Sequence, residues 1–139
     1  MRYYLDTNVL IFALLKGKRY ELSRDVEDIL DDYSNRFYVS SVAVQELIYA
    51  HKAGDIRDAD HKSVKDLFHS MENLGVEIVP TNKYHLLKYA ELEITSEHKD
   101  PNDHIIISQS ITDKIPIISS DRKFKEYVRQ GLQFVFNRR

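Results

Sequence analysis

Apolar residues recur along this chain at two spacings, which predicts strands that alternate with helices. Short apolar runs predict strands at residues 3–5, 37–39, 76–79, 116–119 and 133–136. Apolar positions three or four residues apart predict helices at 9–15, 22–33, 58–74, 82–94 and 121–130. Two further helices are marked by their ends: one is capped by Ser40 or Ser41 and ended by Gly54, and one is opened by Asp100 and Pro101. Residues 95–99 form a polar loop in this interpretation, and the alternation indicates a parallel, layered α/β domain.

The first strand is followed at once by a polar turn and an apolar helix. Asp6, Thr7 and Asn8 come directly after the apolar run at 3–5, and residues 9–15 carry no charge. This pattern is typical of a strand at the centre of a parallel sheet. Asp6 is then expected at the carboxyl end of that strand, where open α/β sheets bind ligands. The alternative is that one of these three polar residues only caps the helix.

Composition limits the chemistry of any site. The chain has 139 residues, which we interpret as one domain, 1–139, with a core of ordinary size. It has no cysteine, so disulfides and thiolate metal ligands are excluded and a metal would need oxygen or imidazole ligands. No signal peptide or membrane span is predicted, and we expect a cytoplasmic protein without membrane contact. The net charge of -2 predicts that a bound nucleic acid would need local basic patches or bound cations.

Acidic residues fall where strands end and helices begin. Asp6 follows the first strand, Glu46 lies in the helix after the second, Asp103 opens the helix before the fourth, and Asp121 follows the fourth. Residues three and four positions from Glu46 are apolar or aromatic, and Asp103 shares its row with Ile106 and Ile107. No Lys or Arg stands at pairing distance within either helix. Inward acids without a basic partner are costly, and a divalent cation such as Mg²⁺ or Mn²⁺ would neutralise them.

Some of these polar residues also have purely structural interpretations. We interpret Asp100 mainly as the N-cap of the helix that Pro101 begins. Asp121 could be a helix-start acid favoured by the helix dipole. The six histidines show no spacing typical of a metal site. His98 and His104 flank the acids and could touch a substrate, although we interpret them as exposed loop residues.

Four stretches together resemble the PIN-domain ribonucleases, most closely the small VapC-like toxins of bacterial toxin–antitoxin pairs. They are YLDTNVLI from residue 4, VQEL from residue 44, DPNDHIII from residue 100 and ISSDRKF from residue 118. The resemblance implies a three-layer α/β/α sandwich around a parallel sheet of about five strands. It places an acidic tetrad on Asp6, Glu46, Asp103 and Asp121, assisted by hydrogen bonds from Asn8 and Ser119. Asn102 and His104 depart from the residues that the family usually carries there.

The resemblance also implies an activity and partners. We expect an endoribonuclease that depends on Mg²⁺, or alternatively Mn²⁺, bound by the four acids. Contacts to RNA are predicted for Lys99, His104, Arg122 and Lys123. A cognate antitoxin is expected in a groove near residues 9–15 and 46–50, with a basic side chain among the acids. A homodimer is expected through the apolar positions of 82–94 and 26–33.

Two other functions are weighed against this one. A non-catalytic PIN-like module would bind RNA or a protein without cleaving it. A phosphatase of the haloacid dehalogenase type also begins with an Asp after its first strand. That mechanism needs a second Asp where Asn8 stands, and a catalytic Lys that we cannot assign.

Overall fold

A single parallel sheet organises the molecule. The computed structural model of the chain describes residues 1–95 and 97–139, so Ser96, in the predicted 95–99 loop, lies outside the described residues. The strands are β1 (Arg2–Leu5), β2 (Arg36–Ser40), β3 (Val76–Val79), β4 (Ile117–Ser119) and β5 (Phe134–Phe136). Their order is β3-β2-β1-β4-β5, and every neighbouring pair is parallel. The predicted five-stranded parallel sheet is confirmed.

Helices cover the sheet in the predicted α/β/α arrangement. They are α1 (Thr7–Leu14), α2 (Arg24–Asp31), α3 (Ser41–Lys52), α4 (Val64–Asn73), α5 (Lys83–Glu91) and α6 (Pro101–Asp113). Two 3₁₀ helices, Lys16–Glu21 and Arg122–Gln130, complete the connections. Helix α1 packs against α3 and α4, whereas α5 packs against α6. No helix within 1–95 and 97–139 is both long and apolar enough to cross a membrane.

All of β4 and all of β1 except Arg2 are buried, which explains the nearly continuous apolar sequence of these two neighbouring strands. Leu5 in β1 and Ile117 and Ile118 in β4 are fully buried. A strand with helices on both faces has no solvent side and therefore shows no polar alternation. The interpretation of β1 as a central strand is confirmed, and Asp6 leaves the sheet at its carboxyl end.

The predicted helix at 58–74 is wrong in its first part. Helix α4 begins only at Val64, because Ser63 and Asp66 form a reciprocal capping box. The Ser63 hydroxyl accepts from the Asp66 amide at 3.2 Å, and the Asp66 carboxylate accepts from the Ser63 amide at 3.1 Å. Upstream, Asp58 binds the ring of His61 instead of continuing the helix.

Two other helical segments differ from the prediction in extent or type. Helix α5, predicted over 82–94, starts after its N-cap Asn82 and ends at Glu91 because Leu92 is extended and buried. The segment predicted as a helix at 121–130 is a 3₁₀ helix capped by Asp121. Gly131 ends it with a φ of 107°, a conformation that favours glycine. The segment Lys16–Glu21, a 3₁₀ helix, was not predicted at all.

Candidate functional site

Asp6 is the most deeply buried of the candidate acids, and both of its oxygens have partners. Its side chain is the N-cap of α1, where Oδ1 accepts from the Thr7 amide at 2.9 Å. Its Oδ2 accepts from the Ser119 hydroxyl at 2.7 Å. The backbone amide of Asp6 donates to Ile118 of β4, which fixes the carboxylate relative to the sheet. The capping interpretation of Asp6 is therefore confirmed, and the same carboxylate lies at the carboxyl end of β1, where its role in a ligand site stays a prediction.

Ser119 connects two of the acids. It is fully buried at the end of β4, donates its hydroxyl to Asp6 and accepts the backbone N–H of Asp121 at 3.0 Å. Asp121 in turn caps the C-terminal 3₁₀ helix by accepting from the Lys123 amide at 2.9 Å. The predicted contact of Ser119 with an acid is present. Asp121 lies at the helix start as predicted, but as the N-cap and not as an acid of the first turn.

Glu46 reaches the site from α3 and is held by a residue that the sequence analysis considered only as a cap. The Thr7 hydroxyl donates to Glu46 Oε1 at 2.6 Å. Thr7 therefore contacts two acids, Asp6 through its amide and Glu46 through its side chain. Its position directly after Asp6 is the signal that could have indicated this second contact.

Asp103 lies in the first turn of α6, with Asp100 as the N-cap of that helix. Asp100 accepts from the Asn102 amide at 3.0 Å, which confirms its predicted capping role. Asp103 Oδ2 lies 3.0 Å from Nε2 of His98. The inward row predicted for Asp103 is confirmed, since Ile106 and Ile107 are buried.

The interpretation of His98 and His104 as exposed loop residues is wrong. Their exposed fractions are 2% and 4%, and their rings pack edge to face with centroids 4.6 Å apart. His104 Nε2 donates to the backbone carbonyl of His98 at 2.9 Å, and its ring stacks on Tyr89. Because His104 is enclosed in this way, it does not face solvent as a residue that contacts RNA would, and that assignment is withdrawn.

A directional chain of hydrogen bonds ends on Asp103. The amide of Thr95 lies 3.4 Å from the Tyr127 hydroxyl, which lies 2.9 Å from His98 Nδ1. An amide can only donate, so the Tyr127 proton is free to point to His98 Nδ1. Burial lowers the pKa of His98, which disfavours a second proton on its ring. The single ring proton then lies on Nε2 and is donated to Asp103.

The acids repel one another across the site. Burial, followed by repulsion from Asp103, raises the pKa of Asp6 to about 7, with a further contribution from Glu46. Burial, followed by repulsion from Asp100, Glu46 and Asp121, raises the pKa of Asp103 to about 7. Contacts of Thr7 link Asp6 to Glu46, contacts of Ser119 link Asp6 to Asp121, and a carboxylate oxygen of Asp103 lies within 4.8 Å of one of Asp121. The four acids named from the sequence therefore lie in one cluster at the carboxyl ends of β1 and β4.

A family model described as the PIN domain matches residues 3–130 of the chain. The chain belongs to the PIN-domain family. This match decides against the haloacid dehalogenase alternative, as the missing second Asp at Asn8 had already suggested. No curated protein matches the chain significantly.

Toxin–antitoxin complexes of the VapBC type are among the solved structures similar to this PIN domain. VapBC2 from Rickettsia felis, bound to a DNA fragment from its promoter, matches with 21% identity, a TM-score of 0.67 and 99% of both chains covered. VapBC-1 from nontypeable Haemophilus influenzae matches with 19% identity, a TM-score of 0.67 and 98% coverage of both chains. DNA-bound VapBC from Salmonella typhimurium matches with 17% identity, a TM-score of 0.68 and 98% coverage of both chains. At these identities the likeness shows a shared fold.

The donor set of this PIN domain fits a divalent cation. Asp103 and Asp121 offer carboxylate oxygens that lie within 4.8 Å of each other and of a ring nitrogen of His98. Within the part of the chain that the structure describes, no Lys or Arg forms an ion pair with any of the four acids. Carboxylate oxygens suit Mg²⁺ and Mn²⁺. Because Nδ1 of His98 accepts from Tyr127 and Nε2 donates to Asp103, this histidine, which the sequence analysis did not foresee in the site, would orient a metal-binding carboxylate and not bind the ion itself.

The remaining predicted residues lie around the cluster. Asn8 is exposed and lines a groove of about 430 Å³ together with Ile11, Glu46 and Tyr49. Its role in orienting a carboxylate stays a prediction. Lys99, Arg122 and Lys123 are exposed, and the charge of Lys123 opposes the rise in the pKa of Asp103. Lys123 is thus close enough to act on the site electrostatically.

Proposed function

We propose that this PIN domain is a Mg²⁺-dependent endoribonuclease and the cytoplasmic toxin of a VapBC-type toxin–antitoxin pair. The observation that carries the proposal is the cluster of Asp6, Glu46 and Asp103, in which repulsion from Asp103 and Glu46 adds to burial in raising the pKa of Asp6, and repulsion from Glu46 helps to raise that of Asp103. Such a cluster is unfavourable without a cation and becomes favourable with one. Asp121 and Ser119 complete it at the end of β4.

The proposed roles follow from the contacts of each residue. Asp6, Glu46, Asp103 and Asp121 would hold one or two Mg²⁺ ions, with Mn²⁺ as an alternative. When bound, such an ion lowers the pKa of a water and offsets negative charge on the phosphodiester. Thr7 and Ser119 orient Glu46 and Asp6 through hydrogen bonds, and Asn8 is proposed to assist them.

The substrate is proposed to be an unpaired or looped RNA segment, which can reach a recessed site. The exposed cations beside the acids, Lys99, Arg122 and Lys123, would bind its phosphates. They supply locally the positive charge that the net charge of -2 does not supply globally.

Cleavage of single-stranded RNA, measured with Mg²⁺ and with EDTA, tests the activity. We expect cleavage only with the metal, and its loss in Asp6→Asn. The matched control is Asp28→Asn, which removes an exposed carboxylate from α2 and should leave cleavage unchanged. Cleavage in EDTA, or full activity of Asp6→Asn, would contradict the proposal. RNA binding without cleavage under all conditions would favour a non-catalytic module instead.

The proposed antitoxin site is the groove between α1 and α3. Ile11 and the exposed Tyr49 offer apolar contacts there, and Glu46 stands at the acidic end. We propose that an antitoxin tail binds this groove and places a basic side chain among the acids. Replacing that basic residue by Ala should weaken inhibition more than binding, and excess Mg²⁺ should restore cleavage. Inhibition that resists both changes would indicate that the antitoxin blocks the RNA path in another way.

A homodimer is proposed through α5. This helix exposes Tyr84, Leu86 and Leu87 at 63%, 49% and 54%. In the second predicted region, Val26 is fully buried and only Tyr33 is fully exposed, so that region contributes less than expected. Light scattering at micromolar concentration should report a dimer, and Leu87→Glu should convert it to a monomer. A wild-type monomer would rule the proposal out.

A further inference from the structure

The C-terminal 3₁₀ helix sorts its side chains into three straight rows. A 3₁₀ helix has three residues per turn, so residues at i, i+3 and i+6 lie one above the other. Phe124 and Tyr127 form the buried row. Arg122, Lys125 and Val128 form an exposed row, which an α-helix would spread around its surface. Two cations and one apolar side chain therefore stand in line along one edge of this helix.

This exposed row forms one wall of a cleft whose floor is aromatic. The cleft has a volume of about 670 Å³ and is lined also by Phe134, Phe136 and Arg138. Phe134 and Phe136 are two residues apart in β5 and so point to the same face of the sheet, with ring centroids 6.0 Å apart. Both rings are only partly buried, because β5 is the edge strand of the sheet and leaves them open to the cleft.

The charge of this cleft is positive. Arg122, Lys125 and Arg138 are exposed, and the guanidinium of Arg122 lies 5.6 Å from the centroid of the Phe136 ring. In the described part of the chain, none of these three cations forms an ion pair with a carboxylate. A chain with a net charge of -2 thus carries a basic cleft with aromatic faces.

The cleft lies next to the acid cluster. Phe136 stands opposite Ser119 in the register of β5 and β4, and Ser119 donates to Asp6. Neighbouring strands are about 4.8 Å apart, so the aromatic floor begins one strand away from the acids. On the helix side, Phe124 contacts both Phe134 and His98, with ring centroids 6.1 Å and 5.9 Å away.

We infer that this cleft is a binding site for unpaired RNA, in which a base stacks on Phe134 and Phe136 while Arg122, Lys125 and Arg138 bind the flanking phosphates. Aromatic side chains combined with cations along a groove are how proteins bind single-stranded nucleic acid without reading base edges. The inference rests on the proposed function for its ligand class. It adds the surface that would hold the strand beside the acids.

Binding of a fluorescein-labelled oligouridylate RNA, followed by fluorescence anisotropy in EDTA, tests this site without cleavage. Lys125→Glu and Arg138→Glu should each weaken binding about tenfold and reduce the slope of log affinity against log salt by about 0.7 for each phosphate that is no longer neutralised. Phe136→Leu keeps an apolar side chain but removes the aromatic face, and should also weaken binding about tenfold.

The controls lie on α4, which packs against β3 at the opposite edge of the sheet. Lys65→Glu and Phe68→Leu match the charge reversal and the loss of an aromatic ring, and should bind the RNA like the wild type. A fully paired RNA duplex should respond little to Phe136→Leu, since its bases are not free to stack.

Two outcomes would overturn the inference. One is unchanged RNA affinity in all three cleft variants; if these variants also failed to bind the antitoxin, the cleft would be a protein-binding surface. The other is an equal loss in the α4 controls, which would indicate unspecific electrostatics. Because the measurement is made in EDTA, an inactive enzyme would count against the proposed function and leave the test of the cleft valid.

Discussion

Helix α6 carries an aspartate near each end, and each contacts a buried histidine. Asp103 in the first turn lies 3.0 Å from Nε2 of His98, and Asp113 in the last turn lies 2.9 Å from Nε2 of His85. The two histidines are 2% and 0% exposed. The pairs are therefore alike in chemistry and in burial, and they differ in what else surrounds the carboxylate.

Asp113 is saturated by neutral donors. Its Oδ1 accepts from His85, whose Nδ1 accepts the amide of Asn82 at 3.0 Å, so the ring proton lies on Nε2. Its Oδ2 accepts from the Tyr4 hydroxyl at 2.5 Å. A carboxylate at a helix C-terminus is disfavoured by the helix dipole, and these two donors offset that cost. Asp113 thereby connects the C-terminal end of α6 to α5 and to β1 by hydrogen bonds.

Asp103 stands at the helix end that favours a negative charge, yet its pKa is raised to about 7. The dipole contributes about 0.3–1 kcal/mol in the opposite direction. A rise of the pKa from 3.8 to about 7 corresponds to about 4 kcal/mol, so burial and the neighbouring acids outweigh the dipole. A hydrogen-bonded His is common to both aspartates, whereas only Asp103 has the unneutralised acids around it that make it a candidate metal ligand.

The largest expected difference between the two ends of α6 follows from replacing each aspartate by Asn, which should affect cleavage at one end and stability at the other. Asp103→Asn should reduce RNA cleavage more than about 100-fold, beyond the usual effect of an outer-shell change, while the protein stays folded. Asp113→Asn should lower the free energy of unfolding by about 1–3 kcal/mol, because an amide cannot accept from both donors. Cleavage per folded molecule and thermal unfolding measure the two effects. Equal loss of activity in both variants would contradict the assignment of Asp103 to the site and of Asp113 to the fold.

The second largest difference is expected between His98 and His85, in the effect of their replacement on Mn²⁺ affinity. His98→Leu removes the donor to Asp103 and should weaken Mn²⁺ binding about 10–100-fold, as measured by the electron paramagnetic resonance of free Mn²⁺. His98→Gln offers an amide N–H in place of Nε2–H and should recover part of the affinity. A purely structural role for His98 would show no such recovery.

The matched change at the other end is His85→Gln. It alters the same kind of contact on Asp113 and should affect thermal stability without changing Mn²⁺ affinity. A weaker Mn²⁺ affinity in this variant would mean that the two ends of α6 are coupled.

The dependence of stability on pH gives a third contrast. The pKa of Asp6 and of Asp103 rises from 3.8, the ordinary value for this side chain, to about 7 in the folded protein. The folded protein then binds more protons than the unfolded chain between these values, so its free energy of unfolding falls as the pH rises from about 4 to about 7. In EDTA at about pH 8, Asp103→Asn should be more stable than the wild type by about 1–3 kcal/mol. Denaturant unfolding across this pH range checks the slope, which Asp113→Asn should leave unchanged.

Sequence patterns predicted the positions of the buried acids better than they predicted the histidine that contacts Asp103. The apolar rows around Glu46 and Asp103 indicated inward acids, and the apolar run of β1 indicated a central strand carrying Asp6. His98 was misjudged because its partner Tyr127 lies 29 positions away along the chain. A single histidine in a polar loop has no periodicity that could indicate burial. The start of α4 was missed because a capping box competes with a helical apolar pattern that extends further upstream.

The smallest expected difference concerns two threonines of similar burial. The Thr7 hydroxyl donates to Glu46 Oε1 at 2.6 Å, whereas the Thr112 hydroxyl donates to the Ser108 carbonyl within α6 at 2.8 Å. Valine has nearly the same shape and lacks the donor, so both substitutions preserve packing. Thr7→Val should weaken Mn²⁺ binding about fivefold, the value of one ordinary hydrogen bond, because water can reach half-buried Glu46 and replace part of the interaction. Thr112→Val should leave Mn²⁺ affinity unchanged, since the Ser108 carbonyl keeps its helical partner. Equal effects of the two changes would mean that the Thr7 hydroxyl only stabilises the fold, and Glu46 would then be oriented by α3 alone.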